Sequence, residues 1–163
     1  MVSHPHAGAR RAVNPSTPKR DRRLPTRQVP AGAAGWTARL FGGLLCLGVS
    51  AVHVIDQNGI AGDKSPQYLA ILYWILEIAG VVAALLLVAG LVRLGWLLAL
   101  LVAAGPILGY VLSRGPGLPD YDEDVGNWTE TLGLASLALE GLLLLTAAVC
   151  MAVGMRKDRR TSA

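Results

Sequence analysis

The sequence predicts an all-α fold: a four-helix transmembrane bundle, both termini cytoplasmic, preceded by a disordered basic N-terminal tail. Three observations carry this. The chain of 163 residues is 53% hydrophobic and only 16% charged, with mean hydropathy +0.46, whereas a soluble domain carries about a quarter charged residues. The charge is segregated, since seven of the fifteen Lys/Arg precede Trp36 and four follow Met155. Between those ends the chain is apolar, and its polar breaks divide it into pieces close to the ~20 helical residues a bilayer core requires.

Residues 1–35 are rich in Pro, Arg, Ala and Gly without apolar periodicity. Such a segment cannot bury enough surface to offset its chain entropy, so disorder is expected. Arg22-Arg23 is succeeded by Leu-Pro-Thr-Arg, a poor fit to a twin-arginine signal, and the long basic leader favours an uncleaved first span. That span covers about residues 36–54. The first loop, 55–67, includes Asp56, Asn58, Gly59, Asp63 and Lys64, and Ser65-Pro66 reads as N-cap and first helical residue of the next helix. The run from Tyr68 to Leu112 is polar only at Glu77 and Arg93. Too long for one crossing, it divides at Arg93 and Gly95 into spans of about 68–91 and 95–113. A second loop, 114–127, holds four of the chain's eleven acidic residues. Asn127 and Glu130 have capping-box spacing and open the last span, about 128–155, before a basic cytoplasmic tail at 156–163.

The N-terminal tail, Arg93 and the C-terminal basic cluster fall on one side, which the positive-inside rule assigns to the cytoplasm of a bacterial plasma membrane. The pI of about 9.4 thus describes basic ends beside an anionic membrane surface; a nucleic-acid partner is not expected. The lipid bilayer is the expected partner, with a homo-oligomer or another membrane protein beyond it. Helices in lipid associate through small and polar residues, and each span has one stripe of these, including a Gly105/Gly109 pair. Pro106 is expected to kink its helix.

Glu77 and Glu140 lie about nine and twelve residues inside their spans, roughly 14–18 Å at ~1.5 Å per residue, so they could meet at one depth. An intramembrane carboxylate faces the bundle interior and points to a proton relay or cation site, or else is a protonated group satisfied by neighbouring backbone or by Ser136. His53 and Asp56 share a helix face near the outer surface, where a metal site competes with a simple interfacial hydrogen bond. His4 and His6 lie in the tail, so no second intramembrane histidine offers a bis-His haem site. Cys46 and Cys150 lack CxxC spacing and read as small hydrophobes.

Asp120, Asp122 and Asp124 have the 1-3-5 spacing of a calcium loop, but Gly126 comes one place late and Glu130 falls at position 11. These four residues are the outer-loop cation candidates, a divalent cation being the ligand considered; no organic cofactor is indicated. The chain has no P-loop, GxSxG, HExxH or CxxC. Catalytic chemistry has no motif behind it.

Ser113-Arg-Gly-Pro-Gly-Leu-Pro-Asp-Tyr121 and then Gly126-Asn-Trp-Thr-Glu-Thr-Leu-Gly133 resemble a pattern in small four-span integral membrane proteins of actinobacteria, with echoes at His53–Asp56 and Tyr73–Glu77. The resemblance implies a plasma-membrane protein and carries no activity with it. Two functions are compatible with these observations. One is a non-enzymatic structural, sensory or accessory component with an acidic extracytoplasmic loop; the other is a proton- or cation-coupled transporter subunit using Glu77 and Glu140.

Overall fold

The computed structural model describes residues 33–60 and 64–161, with side chains for residues 35–60 and 64–156. The expectations for the tail at 1–32, including His4, His6 and Arg22, and for Asp63 lie outside the described residues. Four helices run in order: α1 (Ala33–Asp56), α2 (Gln67–Ala89), α3 (Val92–Arg114) and α4 (Thr131–Thr161). Each contains a segment long and apolar enough to cross a membrane, between 22 and 26 residues. At ~1.5 Å per residue these reach beyond a hydrocarbon core of ~30 Å. The chain is a multi-pass helical membrane protein.

The polarity of the bundle is inverted relative to a soluble domain. Large apolar side chains face outward, among them Leu44 at 68% and Ile78 at 63% exposure, while Arg39, Ser50, His53, Gln57, Glu77, Ser113 and Glu140 are buried. In lipid, apolar faces need no protein partner, whereas polar groups must find one inside.

Three boundaries differ from the sequence expectation. The α2–α3 break lies at Gly90 and Leu91, before Arg93. Gly90 adopts the left-handed conformation (φ 89°), and its N–H and that of Leu91 satisfy the last carbonyls of α2 at Leu86 and Leu87. Only glycine enters that conformation without a Cβ penalty, so Gly90 sets the stop. Pro66 occupies the N-cap position of α2, with no side-chain cap from Ser65. At α4 the cap is Glu130 in place of Asn127: its carboxylate accepts from the N–H of Leu132 (2.9 Å) and of Gly133 (2.6 Å). Pro106 lies within a continuous α3.

The helices are arranged in chain order around the bundle, each touching the next, and α4 returns to α1. Of the two diagonals, the α1 and α3 backbones approach narrowly, and among the described residues those of α2 and α4 stay farther apart. Packing is concentrated at the end that holds the α2–α3 turn. There Cys46, Val49, Ala83, Leu87, Trp96, Ala99, Leu143 and Ala147 form one core. Small residues permit it. Gly80 sits against the Cys46 carbonyl, and Ser50 Oγ donates to the carbonyls of Cys46 and Glu77, both at 3.1 Å. A Cβ on Gly42 would meet the Trp96 ring, and one on Gly95 would meet Leu87. At the same end Arg39, stacked on Trp36, donates from Nε to the Leu87 carbonyl (2.5 Å) and from Nη2 to the Val88 carbonyl (2.7 Å). It thereby gives the Leu87 carbonyl a second donor and supplies one to Val88 in the last turn of α2.

Candidate functional site

The opposite end of the bundle is open. A cavity of about 740 Å³ is enclosed by the loop-end halves of all four helices and by the 115–130 loop. Its lining reaches Leu98 and Val102 of α3, where it meets the packed core. Gly105 and Gly109 of α3 line this space, and a Cβ added at either would meet nothing within 4 Å. The small-residue pair expected to bring two helices together instead leaves room between them.

Glu140 is 2% exposed and lines the cavity from α4. Ser136, one turn earlier, donates to its Oε1 at 2.6 Å, and His53 Nε2 of α1 lies 3.8 Å from the same oxygen. His53 Nδ1 is 3.0 Å from the Val49 carbonyl. A carbonyl only accepts, so Nδ1 carries the hydrogen, and in the neutral ring Nε2 turns its lone pair toward Glu140. The Tyr73 ring packs edge-on against His53 at 5.0 Å, and Tyr73 donates its hydroxyl to Asp56, which also pairs with Lys64 at 3.0 Å. His53 and Asp56 do share a helix face. A tyrosine joins them.

Glu77 is held elsewhere. Gln57 Nε2 donates to its Oε1 at 2.6 Å, and Glu77 is absent from the cavity wall. Glu77 and Glu140 therefore face different partners, although both sit deep in their helices. Depth comes from counting residues, but facing depends on the order of helices around the bundle. Gln57 is fully buried, and its Oε1 has no hydrogen-bond partner. In the sequence Gln57 reads as part of a polar loop, which conceals this role. Its spacing of four from His53 is the available signal, since residues four apart share a helix face.

The loop that roofs the cavity is folded around Arg114. Its Nη1 donates to Asp124 Oδ2 (3.0 Å) and to Ser113 Oγ (3.0 Å), its Nη2 to Glu130 Oε2 (3.4 Å), and its guanidinium lies 4.3 Å from the Tyr110 ring centroid. The Arg114 carbonyl accepts from Gly126 N–H at 2.9 Å. Tyr68 and Tyr110 donate to the carbonyls of Pro119 and Trp128, both at 2.7 Å, fastening the loop to α2 and α3. Leu118 and Tyr121 exchange a pair of backbone hydrogen bonds, with Gly117 (φ 84°) and Asp120 (φ 56°) supplying the tight turn. Tyr121 donates to Asp124 at 2.9 Å, and burial, with that carboxylate beside it, pushes its hydroxyl above the usual tyrosine range.

Among the four carboxylates considered for a cation, Asp124 and Glu130 meet at Arg114, while Asp120 and Asp122 are exposed. Among the described residues, no three His, Cys, Asp or Glu side chains gather at metal-ligating distance. Compared with protein-family models, with curated proteins and with solved structures, the chain matches none.

Proposed function

We propose that this chain is a non-enzymatic accessory or sensory component of the bacterial plasma membrane, which holds a small molecule in the cavity beneath its extracytoplasmic loop. Both termini are then cytoplasmic, an orientation supported by the basic residues at the two ends. The observation that carries the reading is the contrast between the two ends. One is packed around the buried Leu87, Trp96 and Leu143, and the other holds about 740 Å³ under a pinned loop. That volume lies in the range of ~300–1,000 Å³ typical of small-molecule sites, and the mix of apolar wall and few polar groups is typical as well. Native mass spectrometry of the protein released from nanodiscs tests it. The wild type should retain a bound small molecule or lipid that Gly105→Leu/Gly109→Leu, which fills the space, does not. Identical adduct patterns in both would end the reading.

A second reading, a proton- or cation-coupled transporter subunit, is favoured by Glu140 and His53 in the cavity wall, with a packed core beyond them. Four spans enclose little pathway alone, so this reading implies a homo-oligomer. It rests on Glu140, since Glu77 faces Gln57. Liposome flux lost in Glu140→Gln and kept in Glu77→Gln supports it, and flux equal in both removes it. A divalent cation on Asp120, Asp122, Asp124 and Glu130 has weaker support because Arg114 already occupies two of them. Thermal unfolding across a panel of divalent cations would detect one by its stabilisation.

A further inference from the structure

We infer that the occupant of the cavity is a lipophilic organic cation, its charge set against Glu140 and its apolar body filling the space between α2, α3 and α4. This inference rests on the cavity reading above and specifies its ligand class.

Charge complementarity carries the argument. The wall presents two cationic side chains, Lys64 and Arg114, and four carboxylates, Asp56, Asp124, Glu130 and Glu140. Lys64 is taken by Asp56, and Arg114 is shared between Asp124 and Glu130. Among the described residues, the ion-pair contact of Glu140 is His53 alone, and a neutral His53 offers it no positive charge. Glu140 is therefore the deep carboxylate of the wall that no Lys or Arg neutralises. A buried carboxylate without a counter-charge is costly and holds a proton in its place, and a ligand cation can displace that proton and take over the pairing.

The remaining wall fits the same class. Tyr68, Tyr73, Tyr110 and Tyr121 surround the mouth, and ring faces attract organic cations that carry little hydration. Below them Leu72, Leu76, Leu101 and Leu108 form an apolar wall, suited to a hydrophobic body rather than to a hydrated inorganic ion. A lipid anion of similar size would face two spent cations and an excess of carboxylates.

Binding of tetraphenylphosphonium and of tetraphenylborate, nearly isosteric ions of opposite charge, tests this in phosphatidylcholine nanodiscs, with empty nanodiscs subtracted. The phosphonium should bind at least tenfold more tightly than the borate. Glu140→Gln should lose at least tenfold, Glu140→Asp should retain most of the affinity, and Glu77→Gln should be unchanged, which also controls for general effects of removing a carboxylate. Equal or better binding of the borate overturns the inference, as does phosphonium binding that ignores Glu140→Gln, or no binding of either ion. The two readings fail differently. If both ions bind alike and Gly105→Leu/Gly109→Leu abolishes both, the cavity stands and the cation preference falls. If that variant still binds phosphonium as the wild type does, the cavity itself is not the site.

Discussion

His53 is fixed to its own helix through Nδ1 and faces Glu140 on another through Nε2, 3.8 Å from Oε1. The Val49 carbonyl sets the tautomer, so the α1–α4 contact in this region is the one that Nε2 makes. Nitrogen-15 spectroscopy of the imidazole should show Nδ1 protonated at every pH at which the protein is folded. A neutral ring protonated at Nε2 alone would contradict the geometry.

The same pair should be energetically coupled. His53→Ala and Glu140→Gln are each expected to destabilise the bundle. In the double variant the effects should fall short of additivity by about 1 kcal/mol, within the ~0.5–3 kcal/mol range of contacting pairs. Reversible unfolding in mixed micelles measures the cycle, and additivity would mean that the two residues stabilise the fold independently.

Two glycines on neighbouring helices should respond in opposite directions to alanine. At Gly80 a Cβ would press on Ser50 and on the Cys46 carbonyl. Gly80→Ala should therefore cost about 1–3 kcal/mol as an overpacked contact. At Gly109 the added methyl enters open space, and better helix propensity should stabilise by up to about 1 kcal/mol. Thermal midpoints of the two variants, compared in one detergent, decide this.

The cap of α4 gives another test. Glu130→Ala orphans the N–H groups of Leu132 and Gly133 and should cost about 1–2 kcal/mol, the usual magnitude for a lost N-cap. Asn127→Ala should stay within about 0.5 kcal/mol, as exposed substitutions do. Reversed magnitudes would restore the capping box that the sequence suggests.

The roof should weaken on the alkaline side. Tyr121 is raised above its unfolded value of ~10, so the neutral, donating form is favoured on folding. Its contribution is complete below that value and falls as pH rises toward the folded one. The stability difference between wild type and Tyr121→Phe should be flat from neutral pH to about 10 and shrink above it. A difference that shrinks already below a pH of about 9 would mean the Asp124 contact is not what holds the hydroxyl.

Four helices are legible in the sequence because hydropathy alone decides which segments can enter a bilayer. What hydropathy cannot supply is the rotation of each helix about its axis. Glu77 and Glu140 both sit deep in their helices, yet one faces Gln57 and the other His53, an outcome set by helix order around the bundle. The break before Arg93 is misplaced in the sequence for a related reason. A charge marks polarity, whereas the stop is a backbone event at Gly90. Arg114 looks like the loop's first residue and is its centre. Its partners are 10 and 16 residues away, beyond the reach of any local pattern.

Arg39 and its acceptors are separated by 48 and 49 residues of chain. A ribosome making this protein therefore releases the guanidinium well before the carbonyls of Leu87 and Val88 exist. During that interval α1 carries a charge at its end whose hydrogen bonds are still to come, and the arriving α2–α3 turn supplies them. Order of synthesis thus bears on order of contact: the end of α2 latches the start of α1, and that latch can form only once α2 has been made.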